Sequence, residues 1–332
     1  MPNPTAPRIP IPAIRLGTRG SPLALWQADH VSDRLRRAFP GLQVEVVVIR
    51  TAAEKFPDRP VPAIGVGIFT KEIDEEMLAG RIDLAVHSMK DVPSEIPREI
   101  LIAAVPQRED PLDAFIGTSG PGGPALWDLP RGSAIGTGSP RRKAQLLHRR
   151  PDLMFVPLRG NVDTRLRKSR EQGLAGTILA RAGLRRLGKE SLILHAIPLE
   201  WIIPAVGQGA LAISALAGRR DILEILGVLD HAPTHIRIDA ERAFLAQLRG
   251  GCQVPAGALA EVTGENGQPK ALRIQGVVAA PDGSQCIRGE ITGLAEEAGA
   301  LGRKLADELM VRGGKEILET LRSVSGPGDP AP

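Results

Sequence analysis

Cysteine is nearly absent from this chain. Two thiols, Cys252 and Cys286, stand in 332 residues. That scarcity excludes a disulfide framework and any cysteine-rich zinc site, so no metal is expected and a reducing compartment is the default. The cytoplasm is the expected location. Aromatics make up only 3% of the chain, with no tyrosine. Nucleic-acid binders interleave aromatics with basic residues or display a known module, and neither feature is present, so nucleic acid is not an expected partner. No apolar run approaches the roughly 20 residues that cross a bilayer, so no membrane partner is expected either. Residues Met1 to Pro12 hold five prolines and no hydrophobic segment, which reads as an extended tail and not as a signal peptide. Lysine is also scarce, with 9 among the 42 basic residues. The positive charge is therefore carried by arginine, whose planar fork matches carboxylate and phosphate.

What is present organises the chain into α/β units. Its length is enough for two or three domains with real cores. In the first third, strands are expected at Ile14–Gly17, Leu42–Arg50, Ile82–Val86 and Leu101–Val105. Helices are expected after Ser21 and over Thr70–Ala79. A second unit of the same kind follows. It has strands at Ser133–Gly136, Met154–Leu158 and Thr177–Ala180, with helices at Pro140–Arg150 and Val162–Gln172. This βαβα order argues for mostly parallel sheets. Leu211–Ser214 reads as a strand by which the chain returns to the first unit. The last third changes character. An amphipathic helix over Thr234–Leu248 carries Ile236, Ala240 and Phe244 on one stripe. Glu265-Asn266-Gly267-Gln268 marks a hairpin, Pro281-Asp282-Gly283 turns into a third strand, and a helix spans Ala295–Met310. The expected division is 1–108 with 207–229 as a first domain, 109–206 as a second and 230–332 as a third.

Several strand-to-helix corners share one chemistry. At Gly136-Thr137-Gly138-Ser139-Pro140-Arg141-Arg142 a strand ends, Ser139 caps and Pro140 opens a helix, so free N–H groups and the helix dipole favour an anion. Two cations in that first turn are otherwise unfavourable, which strengthens the case for an anionic partner. Leu158-Arg159-Gly160-Asn161-Val162-Asp163-Thr164-Arg165 repeats the pattern, and Arg181 and Arg186 flank a third corner. Thr18-Arg19-Gly20-Ser21-Pro22 is a fourth. Between Arg131 and Arg170 eleven basic residues face only Asp152 and Asp163. A ligand with several carboxylates fits; phosphate also fits, although no Walker or dinucleotide glycine pattern is present. His87-Ser88-Met89-Lys90-Asp91 follows an apolar strand, where loops of open α/β sheets meet ligands. Asp91 there suits a general acid or a counter-charge to a cationic intermediate, and Lys90 could equally pair with it structurally. Cys252 lies in Arg249-Gly250-Gly251-Cys252-Gln253-Val254-Pro255. The glycines permit a sharp turn and the proline ends regular structure, so the thiol belongs to a loop just past a helix. A sulfur with open space suits covalent attachment or nucleophilic work, while a free cysteine is commonly a small buried hydrophobe. The flanking residues leave both open. Cys286 lies in a strand pattern and reads as core.

Taken in order, these stretches resemble the porphobilinogen deaminase (hydroxymethylbilane synthase) family. The runs are Thr18-Arg19-Gly20-Ser21-Pro22-Leu23-Ala24-Leu25-Trp26-Gln27-Ala28, Phe69-Thr70-Lys71-Glu72 and Ala85-Val86-His87-Ser88-Met89-Lys90-Asp91-Val92-Pro93. Arg108-Glu109-Asp110-Pro111 through Phe115, the Gly136–Arg142 corner, Leu158–Val162, Pro204-Ala205-Val206-Gly207-Gln208-Gly209-Ala210 and the Cys252 loop continue the series over about residues 14 to 322. The resemblance implies two lobes like those of periplasmic binding proteins plus a small C-terminal α+β domain with a three-stranded antiparallel sheet. It implies a monomeric transferase of tetrapyrrole biosynthesis. Four porphobilinogens would be joined head to tail with loss of ammonia on a dipyrromethane held by Cys252 through a thioether, and hydroxymethylbilane would be released by hydrolysis.

By the same resemblance, Asp91, Arg19, Arg142, Arg159 and Arg165 are the catalytic set. Lys90, Asp91, Thr137, Ser139, Arg141, Arg142, Arg165 and Arg186 would hold the cofactor, with Cys252 carrying it. Arg19, Ser21, Arg159, Arg186 and Gln208 would bind the substrate, the arginines through its carboxylates. There are departures. Pro62 and Val66 stand where lysines are common, and Ala53-Glu54 stands where glycine-aspartate is usual. Gly138 replaces a common serine, and Ser214-Ala215-Leu216 follows Ile213 where the family has Glu-Cys-Arg. A two-lobed binding protein without catalysis would need the arginine corners but neither Asp91 nor the Gly-Gly-Cys loop.

Overall fold

The computed structural model describes residues 11–51, 69–120, 122–248, 254–265 and 268–324. Cys252 with its flanking glycines, the stretch holding Ala53, Glu54, Pro62 and Val66, and the proline-rich ends at 1–10 and 325–332 lie outside the described residues. In chain order the strands are β1 (Ala13–Thr18), β2 (Gln43–Val48), β3 (Leu84–Ser88), β4 (Ile100–Ala104), β5 (Asp113–Gly117), β6 (Ala134–Gly136), β7 (Met154–Val156), β8 (Gly176–Ala180), β9 (His195–Ala196), β10 (Leu211–Leu216), β11 (Ala256–Glu265), β12 (Gln268–Ala279) and β13 (Cys286–Leu294). The α-helices are α1 (Pro22–Ala38), α2 (Lys71–Leu78), α3 (Pro140–Arg149), α4 (Val162–Glu171), α5 (Arg181–Arg186), α6 (Arg220–Leu226), α7 (Ala232–Gln247), α8 (Ala298–Leu309) and α9 (Lys315–Val324).

The chain divides into two compact units, 1–108 with 210–235 and 109–209 with 236–332. The first unit is built on a five-stranded sheet in the order β2-β1-β3-β10-β4. β1 runs parallel to β2 and β3, and β10 runs antiparallel to both β3 and β4. The expected return of the chain at residue 211 is therefore present, as a central strand buried along most of its length. That burial explains its apolar run without alternation. Helix α1 forms because Ser21 caps it, Pro22 opens it and Arg36 and Arg37 complement its C-terminal dipole. Its Ala24, Ala28, Val31 and Leu35 recur at helical spacing and are all buried. Asp83 joins β1 to the segment after β10, accepting from Arg15 Nη2 at 3.0 Å and from Arg219 Nη1 at 3.0 Å.

The second unit contains a five-stranded sheet in the order β7-β6-β8-β5-β9 and a three-stranded antiparallel sheet β11-β12-β13. Each has its own core. Phe115, Leu126, Ile135, Leu146 and Ile178 fill the first, and Phe244, Ile274, Leu305 and Leu309 are central to the second. β6 is parallel to β7 and β8, whereas β5 is antiparallel to β8 and β9. The pattern of the sequence assigned no strand to β5 or β9 and no helix to α6 or α9. The expected C-terminal helix also differs. It opens as a 3-10 turn at Ala295–Glu297, continues as α8, and is broken before α9 at Gly313, whose φ of +113° few other residues adopt. Buried Glu241 on α7 accepts from Gly207 N at 2.8 Å and Ala260 N at 2.9 Å, fixing the loop before β10 to strand β11.

Candidate functional site

In the first unit a pocket opens where β1 and β3 end. It is lined by residues that include Arg19, Ser21, Gln27, Phe69, His87 and Asp91. Arg19 and Ser21 follow the end of β1, His87 and Asp91 stand at and just past the end of β3, Gln27 is on α1, and Phe69 precedes α2. Thr18 ends β1, and its hydroxyl donates to Ala24 O at 3.2 Å, so the chain turns tightly into α1. Ser21 Oγ accepts from Ala24 N at 3.3 Å as the N-cap. The guanidinium of Arg19 lies over the Phe69 ring, 4.5 Å from its centroid, a cation–π contact that orients the fork. β3 runs directly into a 3-10 turn over Met89–Asp91, anchored by Met89 N donating to Ala210 O at 3.0 Å. This turn sets half-buried Asp91 at the pocket wall, with half-buried Lys90 beside it in sequence.

The imidazole of His87 is buried. Burial, and then the nearby charge of Arg19, push its pKa down to about 4, so it is neutral at neutral pH. Gln27 Nε2 donates to Ser88 Oγ at 2.8 Å, closing the pocket floor. The arrangement offers a guanidinium and a hydroxyl for an anionic group. It also offers one carboxylate able to accept from N–H donors and to offset a positive charge. The resemblance assigned no role to Phe69, His87 or Gln27. Of the three, only His87 stood where the sequence placed chemistry, at the end of an apolar strand of an open α/β sheet.

In the second unit the corners at Thr137, Arg159 and Arg186 hold the other candidates. Ser139 caps α3, accepting from Arg142 N at 3.4 Å, and its own N–H donates to Thr137 Oγ1 at 3.2 Å. The two arginines of that first turn are almost fully buried, each 5% exposed. Both point at one carboxylate, Asp113 at the head of β5. Arg141 Nη1 lies 2.9 Å from Asp113 Oδ2, and Arg142 Nη2 lies 2.6 Å from Oδ1. Gln208 Nε2 adds a third contact, donating to Asp113 Oδ1 at 2.9 Å and to Pro111 O at 2.7 Å. Ile203 O accepts from Arg141 at 2.7 Å and Ile178 O from Arg142 at 2.9 Å. Burial would raise the Asp113 pKa, but the charges of Arg141 and then Arg142 prevail and hold it well below the usual carboxylate range.

The anion that the cations of this helix start require is therefore supplied from within the chain. Asp113 is the residue that sequence reasoning missed. Two adjacent arginines at a capped helix start were the signal that could have prompted a search for it. Arg141, Arg142 and Gln208 act here as one internal ion cluster, and their polar ends are turned to protein.

The neighbouring corner is more open. Asn161 Oδ1 caps α4 by accepting from Thr164 N at 2.9 Å, and Arg165 Nε donates to Gly160 O at 2.8 Å. Gly160 has a φ of +112°, with the Thr164 side chain 2.6 Å from where a Cβ would sit. Arg159 and Arg165 are half-buried on this corner. Half-buried Arg186 donates to Gly209 O at 2.7 Å, and burial pushes its pKa down to about 10. Gly138 is explained by packing: a Cβ there would lie 2.8 Å from Leu158 O, so a serine does not fit without movement. Ser214 and Ala215, two of the three residues that replace the usual triplet, are buried in β10. Cys252 lies outside the described residues, and Cys286 is half-buried on β13.

Comparison with known proteins matches two family models. Residues 14–224 match "Porphobilinogen deaminase, dipyromethane cofactor binding domain" and residues 235–311 match "Porphobilinogen deaminase, C-terminal domain". A porphobilinogen deaminase of Syntrophomonas wolfei is 48% identical over 306 residues, 92% of this chain and 97% of that one. One from Pelotomaculum thermopropionicum is 45% identical over 310 residues, 93% and 97% of the two chains. One from Trichlorobacter lovleyi is 46% identical over 307 residues, 92% and 96%.

Proposed function

This chain belongs to the porphobilinogen deaminase family, and from that membership we propose that it joins four porphobilinogens head to tail and releases hydroxymethylbilane. In the net reaction four porphobilinogens and one water give one hydroxymethylbilane and four ammonia. Each joining breaks the C–N bond of a substrate aminomethyl group and makes a C–C bond from the same carbon. The observation that carries the reading is the first-unit pocket, which Arg19, Ser21 and Asp91 line together.

Porphobilinogen bears an acetate and a propionate, and its pyrrole N–H is a donor. Arg19 and Ser21 take a carboxylate. Asp91 accepts from the pyrrole N–H and offsets the positive charge that develops on the substrate as ammonia departs. A carboxylate suits this task because the charge appears only when the C–N bond breaks, so its stabilisation favours the transition state over the bound substrate. Neutral His87 adds no competing positive charge beside it.

A dipyrromethane fits the donor set. The group carries several carboxylates, and the half-buried guanidiniums of Arg159, Arg165 and Arg186 with the Thr137 and Ser139 hydroxyls are donors able to meet them. When bound, it supplies the pyrrole primer that is extended. Cys252 is its proposed attachment point, with Lys90 beside Asp91 as a further contact. Arg141, Arg142 and Gln208 serve it indirectly, by holding the α3 corner in shape through Asp113. The separate cores of the second unit favour counting three domains, 1–108 with 207–229, 109–206 and 230–332. A cytoplasmic monomer is the form in which the protein is proposed to act.

The test is ammonia release by the full-length protein given porphobilinogen. Asp91→Ala is expected to lower turnover by at least about a hundredfold with an unchanged melting curve. Asp91→Glu should keep part of the activity. Turnover within threefold or so of wild type in Asp91→Ala, about 0.6 kcal/mol of barrier, would remove Asp91 from the chemistry.

A further inference from the structure

A second cleft in the second unit is unused by the proposed chemistry. It lies between the last turn of α3 and strand β13, with a cavity volume of about 290 Å³. His148, Arg149, Trp201, Cys286 and Arg288 line it, together with Glu200. We propose that this cleft is a binding site for a small oxyanion, a phosphate or carboxylate group.

Charge is the first reason. The Arg149 guanidinium lies over the Trp201 ring, 5.4 Å from its centroid, and no carboxylate stands within ion-pair distance of it among the described residues. The ring holds one face of the fork and leaves its N–H edge for another partner. Arg288 donates from Nη1 to Glu200 O at 2.6 Å and from Nη2 to Leu199 O. Those backbone carbonyls orient the guanidinium without neutralising it. Burial, acting first, pushes the Arg288 pKa down. His148 Nδ1 donates to Gly283 O at 3.0 Å, which fixes the ring in the cleft wall. Two oriented guanidiniums thus line a space that contains a single acid.

The alternative is that these cations serve the helix. His148 and Arg149 do sit in the last turn of α3, where positive charge complements the dipole. Arg288 comes from β13, however, and gains nothing from that dipole. Its convergence on the same cleft, with an aromatic wall at Trp201, is what a ligand site requires and a helix end does not.

Cys286 provides the readout, since a bound anion would shield the thiol and disfavour its thiolate. Full-length protein is treated with iodoacetamide, and alkylation of Cys286 is followed by peptide mass at constant ionic strength while chloride is exchanged for inorganic phosphate or for citrate, up to about 10 mM. The expected result is saturable slowing by about fivefold or more in one arm. Phosphate alone would assign a phosphate ligand, and citrate alone a carboxylate. Arg149→Gln should weaken the protecting anion's binding by about tenfold, and Glu200→Gln, which removes the opposing charge, should tighten it. No saturable slowing in either arm, or slowing unchanged in Arg149→Gln, would overturn the proposal.

Discussion

Replacing Asp113 by asparagine isolates the most consequential interaction found in the second unit. Asp113 is 1% exposed and meets two guanidiniums that are themselves 5% exposed. Asparagine keeps the size of the side chain but leaves both buried cations without a counter-charge. Breaking a buried ion pair in this way costs about 3–5 kcal/mol, because the desolvation of the remaining charge is no longer offset. In a unit of this size the melting temperature should fall by roughly 10 °C. Urea denaturation followed by circular dichroism would measure the loss. Arg142→Met should also destabilise, and the double variant should lose less than the two singles added together, since the residues share one interaction. A pH series adds a sign. The Asp113 pKa is held far below its value in the unfolded chain, so its contribution is complete above about pH 4 and is lost as the pH falls below that. A loss under about 1 kcal/mol, or strict additivity of the two substitutions, would refute the claim that this cluster holds the α3 corner.

Other outcomes follow from the same geometry. His87 has a pKa of about 4 when folded against 6.5 when free, so stability from its neutral form is present above pH 6.5 and lost, by about 3 kcal/mol, as the pH falls toward 4. His87→Gln should flatten the urea midpoint across that interval, and an unchanged slope would contradict the assignment. Gly138→Ser should destabilise by about 1–3 kcal/mol because its Cβ meets Leu158 O, and a neutral or stabilising effect in a thermal melt would show that the corner yields freely. Arg159→Leu should raise KM about tenfold with little change in melting temperature, whereas Arg142→Leu should lower the melting temperature first; equal behaviour of the two would erase the distinction between open and buried arginines.

The parts of this fold that could be read from the sequence are those where local chemistry decides the structure. Ser21-Pro22 and Ser139-Pro140 announce capped helices, and both caps form with their hydroxyls accepting from the helix N–H groups. The Asn-Gly pair between Glu265 and Gln268 separates two strands that pair antiparallel. The strand at Leu211 was legible, but its return to the first sheet was not derivable from pattern alone, because its antiparallel pairing with β3 and β4 joins residues far apart in the chain. β5 and β9 were not legible. β9 is two residues long, and β5 opens with an aspartate, a residue strands disfavour, which is tolerated because two arginines neutralise it. The destination of Arg141 and Arg142 was half legible. Their pattern called for an anion, but the partner lies 29 residues before Arg142 and no local rule connects them. The first-unit pocket was legible in Arg19, Ser21, His87 and Asp91, while Phe69 and Gln27 owe their places to tertiary packing.

The central claim is that Cys252 carries a primer made from the substrate. The denatured intact mass of the full-length protein tests it most directly, with Cys252→Ala measured alongside. The account predicts a wild-type mass above that of the bare chain by two condensed pyrrole units, gained on incubation with porphobilinogen where it is not already present, and no such adduct on Cys252→Ala. An unmodified wild-type mass after incubation with porphobilinogen, or the same adduct on Cys252→Ala, would contradict it.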